Sequence, residues 1–256
     1  GLSAASISTQ AASFELNGSG RWVVSDEDPL GSRSYISAVL TSTDVKQTMA
    51  QLGYQPGIDS DELGIVFDLD WSGSPRADIF DVLNGSVKVR VGDGQLEEVE
   101  PGAGRVFGLM SITSLPRRLS FDFSDIFKKG FGFDEIAGIF EINNGNMVTC
   151  DLSFKGPAAD IGVVGEASLS DFTYNQTAIV SANVGNSLPI IGAFVAGPQV
   201  AAALLLFSQI FKKPLQEVGQ VYYGISGSWD NPDVDSTNSD AFVLSNETAG
   251  CLAIGE

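Results

Sequence analysis

The chain has 256 residues, among them 32 aspartates and glutamates and no histidine. That combination narrows the possible chemistry before any element is assigned. A serine or cysteine activated by imidazole needs the ring that is missing. A zinc ion would find carboxylates and two thiols far apart in sequence, Cys150 and Cys251. Carboxylate groups remain for acid–base work or a hard cation, and the tightest are Asp59-Ser60-Asp61-Glu62, Asp68 with Asp70, and Glu97-Glu98-Glu100. None stands among the glycines, polar residues and aromatics with which a glycoside hydrolase grips a sugar. Residues 59–62 lack the twelve-residue spacing of a calcium loop. Gly102–Gly104 lacks the lysine and hydroxyl of a phosphate loop. The expectation is therefore a protein that is not an enzyme and holds no cofactor and no metal, with its carboxylates in solvated loops and strand faces.

The remaining chemistry is that of an interface. From Val99 to Phe140, apolar and aromatic residues alternate with five basic ones. Phe107, Leu109 and Met110 follow Arg105, Leu115-Pro116 closes a helical pattern opened at Pro101, and Arg117-Arg118 come next. A second short helix carries Phe121, Phe123 and Phe127 before Lys128-Lys129. Aromatics beside cations suit a boundary that is apolar on one side and anionic on the other, as a phospholipid offers. The candidate lipid contacts are those three groups of apolar residues with Arg117, Arg118, Lys128 and Lys129.

A second apolar run, Leu188 to Phe211, is broken by Pro189, Gly192, Gly197 and Pro198 and closed by Lys212-Lys213. Its longest clean helix, from Pro198 to Phe211, is roughly 20 Å long, short for a bilayer. It reads as a buried core helix, a plug over the end of a groove, or a helix dipping into a membrane interface, with Leu204, Leu205 and Phe207 as candidate lipid contacts.

The elements around these segments are strands. SISTQAASFEL, GRWVV and SYISAVL are separated by an Asn17-Gly18 turn signal and an acidic loop at Asp26-Glu27-Asp28. Ser42 or Thr43 caps a short helix through Val45, Met49 and Leu52 that ends at Gly53. LGIVFDLDW places Ile65, Phe67 and Leu69 on one face and Asp68 and Asp70 on the other, and GSVKVRV alternates valines with Lys88 and Arg90. FDEIAGIFEI, NMVTCDLSF, ADIGVVGEASL and DFTYNQTAIVSANV follow as further strands. Trp22, Trp71 and Trp229 each stand among small turn residues, where an indole covers the edge of a core or, as the alternative, touches lipid directly. The fold class expected is mainly β with a few helices (α+β): an elongated, curled antiparallel β-meander with an apolar groove, and helical segments near 101–128 and 188–213. Periodicity allows a closed sandwich equally.

PGAGR, LPRRLSFDF, GFGFD, KGPAADIGVVGEASL, SLPIIGAFVAGPQVAAALLLFSQIF and YYGISGSWDNPDV occur in that order. Together they resemble the C-terminal region of YhdP-type proteins of the AsmA-like superfamily, over most of residues 35–235. The resemblance implies phospholipid movement from the inner toward the outer membrane of a Gram-negative bacterium, along an apolar β-groove in the periplasm and without chemistry. It implies phospholipid and a bacterial membrane surface as partners, with a periplasmic scaffold that binds another envelope protein as the alternative. The start, GLSAASISTQAASF, has no secretory signal pattern, so the chain is expected to be a fragment whose membrane anchor lies upstream. A periplasmic setting would also let Cys150 and Cys251 pair. Residues 1–235 are expected to form one groove domain and 236–256 a flexible tail.

Charge agrees with this reading. A formal net charge of −18 leaves no basic footprint for counterion release, so nucleic acid is excluded as a partner. Seven of the 14 basic residues, Arg105, Arg117, Arg118, Lys128, Lys129, Lys212 and Lys213, flank the two apolar segments, where they can form a solvated helix face or meet phosphate head groups.

Overall fold

The computed structural model describes residues 1–96, 131–157, 159–182 and 220–237. They form β1 (Leu2–Gln10), β2 (Phe14–Val24), β3 (Ser32–Ser42), α1 (Val45–Gln51), β4 (Ile58–Ser60), β5 (Leu63–Ser72), β6 (Leu83–Val91) and β7 (Gly94–Leu96). After residues 97–130 come β8 (Phe131–Phe133), β9 (Glu135–Asn143), β10 (Asn146–Lys155), β11 (Ala159–Ser168) and β12 (Thr173–Ala182). β13 (Gln220–Ser228) and β14 (Asn231–Thr237) close the order. The segments expected to be helical near 101–128 and 188–213, and residues 238–256 of the expected tail, lie outside the described residues.

Eleven strands build one antiparallel sheet in the order β1-β2-β3-β5-β6-β9-β10-β11-β12-β13-β14, and β4-β7-β8 form a small second sheet. Every strand of the large sheet pairs with the strand that precedes or follows it in the sheet's chain order, so it is a meander, open and curled. The two ends of the sheet differ. Tight connections at residues 25–31, 73–82, 144–145, 169–172 and 229–230 line one rim, here the hairpin rim. α1, β4, β7 and β8 join at the opposite rim, here the insertion rim.

Registers extend one row of inward-facing residues across all eleven strands: Ile7, Gly18, Ala38, Phe67, Val87, Phe140, Thr149, Gly165, Gln176, Ile225 and Val234. Alternation then gives an apolar inner face and an outer face that is largely polar on β2–β9 but carries the buried Val164, Ile179 and Tyr222 on β11–β13. The outer face carries ion pairs, Arg33 with Asp70 and Asp28, and Arg90 with Glu62 and Glu135, and Lys155 reaches Glu135 at 2.8 Å. The core lies on the inner face of β6 and β9–β13, where Ile136, Phe140, Leu152, Phe154, Ile161, Ala178 and Ile225 are sealed, with Val45 and Met49 of α1 over its end.

Local detail departs from the sequence reading in two places. Asn17-Gly18 is not a turn: both lie inside β2, paired with Val39 and Ala38, and the chain reverses at residues 11–13. A Cβ at Gly18 would sit 2.9 Å from the Ala38 Cα, so the glycine permits close approach of two curled strands and not a reversal. α1 is capped by Asp44, whose side chain accepts from the Gln47 amide at 2.8 Å, while Ser42 Oγ accepts from the Asp44 amide. The Ser42 hydroxyl also meets Thr48 Oγ1 at 2.8 Å, and Thr48 donates on to Ser13, which fastens the helix to the β1–β2 reversal.

Candidate functional site

Among the described residues, one part of the inner face is apolar without being sealed. On β1, β2, β3 and β5 it presents Ile7, Leu16, Trp22, Leu40 and Phe67, each half-buried and none a member of the core cluster. Ile36, Leu63, Ile65 and Leu69 stand between them and the core, packed against it on one side. Gly18, Gly20 and Ala38 lower the floor in the middle, since β2 and β3 place them in adjacent rows. The result is a shallow apolar trough that continues into the sealed core of β9–β13 at one side and opens toward β1 at the other.

Its chemistry suits hydrocarbon. The floor is aliphatic and aromatic, and charged side chains of β3, β5 and β6 (Arg33, Asp68, Asp70, Lys88 and Arg90) fall on the opposite face by register. The tryptophans line up along the hairpin rim near the ends of β2, β5 and β13. Trp71 Nε1 donates to the Ser74 carbonyl at 3.0 Å and Trp229 Nε1 to the Thr173 carbonyl at 3.0 Å, and both indoles are buried. These two cover core edges as the sequence suggests. Trp22 differs: it lies in the trough, half-buried, and its Nε1 hydrogen finds no partner among the described residues.

Of the carboxylates singled out in the sequence, Asp59, Asp61 and Asp68 are exposed, Glu97, Glu98 and Glu100 lie outside the described residues, and the remaining two are in ion pairs. Asp70 pairs with Arg33 and Glu62 with Arg90. Glu135, hydrogen-bonded to Lys155 and then to Arg90, is held below the usual carboxylate range despite some burial. Among the described residues no group of three or more carboxylates or thiols is arranged to hold a metal ion. Cys150 is disulfide-bonded, and Cys251 lies outside the described residues. Among the described residues no helix is long and apolar enough to cross a membrane.

The lipid contacts expected from the sequence, Phe107 through Lys129 and Leu204, Leu205 and Phe207, lie outside the described residues. Their attachment points do not. β7 ends at Leu96 and β8 begins at Phe131, while β12 ends at Ala182 and β13 begins at Gln220, and all four lie toward the insertion rim. The trough residues Leu16 and Leu40 are not marked as a site by the sequence, and Trp22 only as one of three tryptophans that could touch lipid, because alternation marks which residues face inward and not which stretch stays uncovered.

Comparison with known proteins identifies the family. The family model for YhdP protein matches residues 1–234. The intermembrane phospholipid transporter YhdP of Escherichia coli (strain K12) is 29% identical over 221 residues, 86% of this chain but 17% of that protein. No solved structure matches the chain. With a family match running from β1 into β14, the chain belongs to the YhdP family.

Proposed function

We propose that this chain is part of a bridge-like protein that conducts phospholipid between the inner and outer membranes of a Gram-negative envelope without catalysing a reaction. The observation that carries the reading is the half-buried apolar trough that the described residues form on β1, β2, β3 and β5, beside a core that is closed on the same face. A fold that needed only stability would cover such a face. A groove that carries acyl chains must leave it accessible, and burial of hydrocarbon at about 0.8 kcal/mol per CH₂ gives a long chain enough attraction without polar anchoring. The relative's description as an intermembrane phospholipid transporter supports the same substrate. The setting is then the periplasm, with the chain as a portion of an inner-membrane-anchored protein reaching toward the outer membrane.

In this reading the segments carrying Phe107, Leu109, Met110, Phe121, Phe123 and Phe127, and Leu204, Leu205 and Phe207, act at the insertion rim as apolar contacts. Arg117, Arg118, Lys128 and Lys129 meet phosphates there. The support is their composition and the shared rim at which both segments join the sheet.

Native mass spectrometry of the purified chain, followed by organic extraction, should reveal co-purified diacyl phospholipid. Phe67→Asp, on the trough floor, should abolish loading, and Val66→Asp, one residue away on the outer face, should leave it intact. Transfer between liposomes should also fall in the Arg117→Glu/Arg118→Glu variant. Equal lipid occupancy in the two position-66 and position-67 variants would remove the trough from the proposal.

A further inference from the structure

The hairpin rim exposes apolar side chains to an unusual degree. Of the large hydrophobic residues exposed among the described residues, Leu2, Val23, Val24, Leu30, Phe80 and Phe172 all gather at this end of the sheet. The centre of the group is aromatic. Phe80 and Phe172 meet edge to face at 5.7 Å, and Phe172 stands in turn on Trp229 at 5.2 Å, which stacks on Tyr174 at 5.9 Å. Trp229 and Tyr174 are buried, whereas Phe80 is 44% and Phe172 42% exposed, so a rigid base holds two rings out to solvent. Phe172 has φ +53, in the left-handed region where glycine or asparagine is the inexpensive choice.

The charge around the rings is of one sign. The five connections of this rim carry Asp26, Glu27, Asp28, Asp78, Asp81, Asp171 and Asp230 against one basic residue, Arg76. Asp28 is engaged with Arg33, and the other six carboxylate residues are exposed. Asp81 and Asp171 are the immediate neighbours of Phe80 and Phe172. An anionic bilayer surface attracts basic segments and repels such a rim. Exposed aromatic faces ringed by carboxylates instead complement arginine or lysine side chains flanked by apolar ones, through ring stacking, cation–π contact and charge attraction.

We propose that the hairpin rim, centred on Phe80 and Phe172, is a protein-docking surface for a basic segment of a partner that carries apolar anchors between its cations. The two ends of the sheet then have different partners. This surface stands independently of the lipid assignment, because it uses neither the trough nor the insertion rim.

The test uses the whole chain and a short fluorescent peptide in which arginine pairs alternate with leucine pairs, beside a counterpart with serine in place of leucine. Anisotropy should show the leucine peptide binding about tenfold more tightly, the worth of covering two half-exposed rings. The Phe80→Ser/Phe172→Gly variant should lose that margin while its thermal unfolding stays close to the parent's, because glycine relieves the positive φ. Should the double variant unfold, Asp81→Lys/Asp171→Lys, which leaves the rings in place, should weaken both peptides and preserve the fold. A leucine preference that survives loss of both rings would overturn the proposal, leaving only general attraction to an acidic chain. So would binding to phosphatidylglycerol vesicles that depends on Phe80 and Phe172, which would make the rim a membrane contact.

Discussion

Tyr174, Tyr222 and Tyr223 show how single residues report on the closed part of the sheet. All three are buried, and burial disfavours the phenolate. Tyr174 is raised well above the ordinary phenol range by desolvation and then by the Asp230 charge, Tyr222 is pushed up to about 12 by desolvation, and Tyr223 is raised by desolvation. The folded state therefore binds these protons more tightly than the unfolded state, whose tyrosines titrate near about 10. The contribution is complete below that pH and is lost as pH rises from about 10 through 12. Absorbance at the phenolate band and far-ultraviolet circular dichroism, followed together through that window, should change together for these residues. Ionisation of all five tyrosines with the β-signal intact would show that the β11–β13 region is not closed.

At the scale of elements, the β10 bulge is the point at which register is reset. Between Thr149 and Leu152 the strand holds one residue more than β11, and one more than β9 between Thr149 and Ser153. The Ile139 amide, displaced from the ladder, donates to Asp151 Oδ1 at 2.7 Å. Asp151→Ala should cost about 1 kcal/mol, lowered because the bond is exposed, and Asp151→Asn, which keeps the acceptor oxygen, should recover most of it in thermal unfolding. Equal melting temperatures for the alanine variant and the parent would show that water replaces the carboxylate at no cost. The bulge itself could not be read in NMVTCDLSF, where the alternation simply continues. By contrast Ile65, Phe67 and Leu69 against Asp68 and Asp70 announced both faces of β5, and the succession of strands announced the meander. What escaped was depth. Phe67 and Phe140 occupy the same transverse row and have similar neighbours in sequence, yet Phe67 is half-exposed and Phe140 sealed. Curl and the strands lying opposite decide that difference, and neither is encoded in a local pattern. Asn17-Gly18 misled for a related reason: the pair that favours a tight turn also serves where two strands approach closely.

At the scale of the whole molecule, the two edge strands of the large sheet among the described residues, β1 and β14, are unequal. β14 carries Pro232, Asp233 and Asp235, residues that blunt an edge by removing a donor and adding repulsion. β1, LSAASISTQ, has neither charge nor proline, and the register shift between Ala4 and Ile7 is its one irregularity against β2. An uncharged strand with one side that no described strand pairs is a template for another strand. The 256-residue chain should therefore self-associate through β1 as its concentration rises, with sedimentation shifting from monomer toward dimer. Ser3→Lys/Ser8→Lys places two cations on the outer face of that strand, opposite Arg21 and Asn17. In a β1-to-β1 pair these charges come together across the new junction, so the variant should remain monomeric, with its melting temperature within a few degrees of the parent's. Association that persists in this variant but disappears when the trough is altered by Phe67→Asp would place the contact on the apolar inner face, and the open edge would then have no part in assembly.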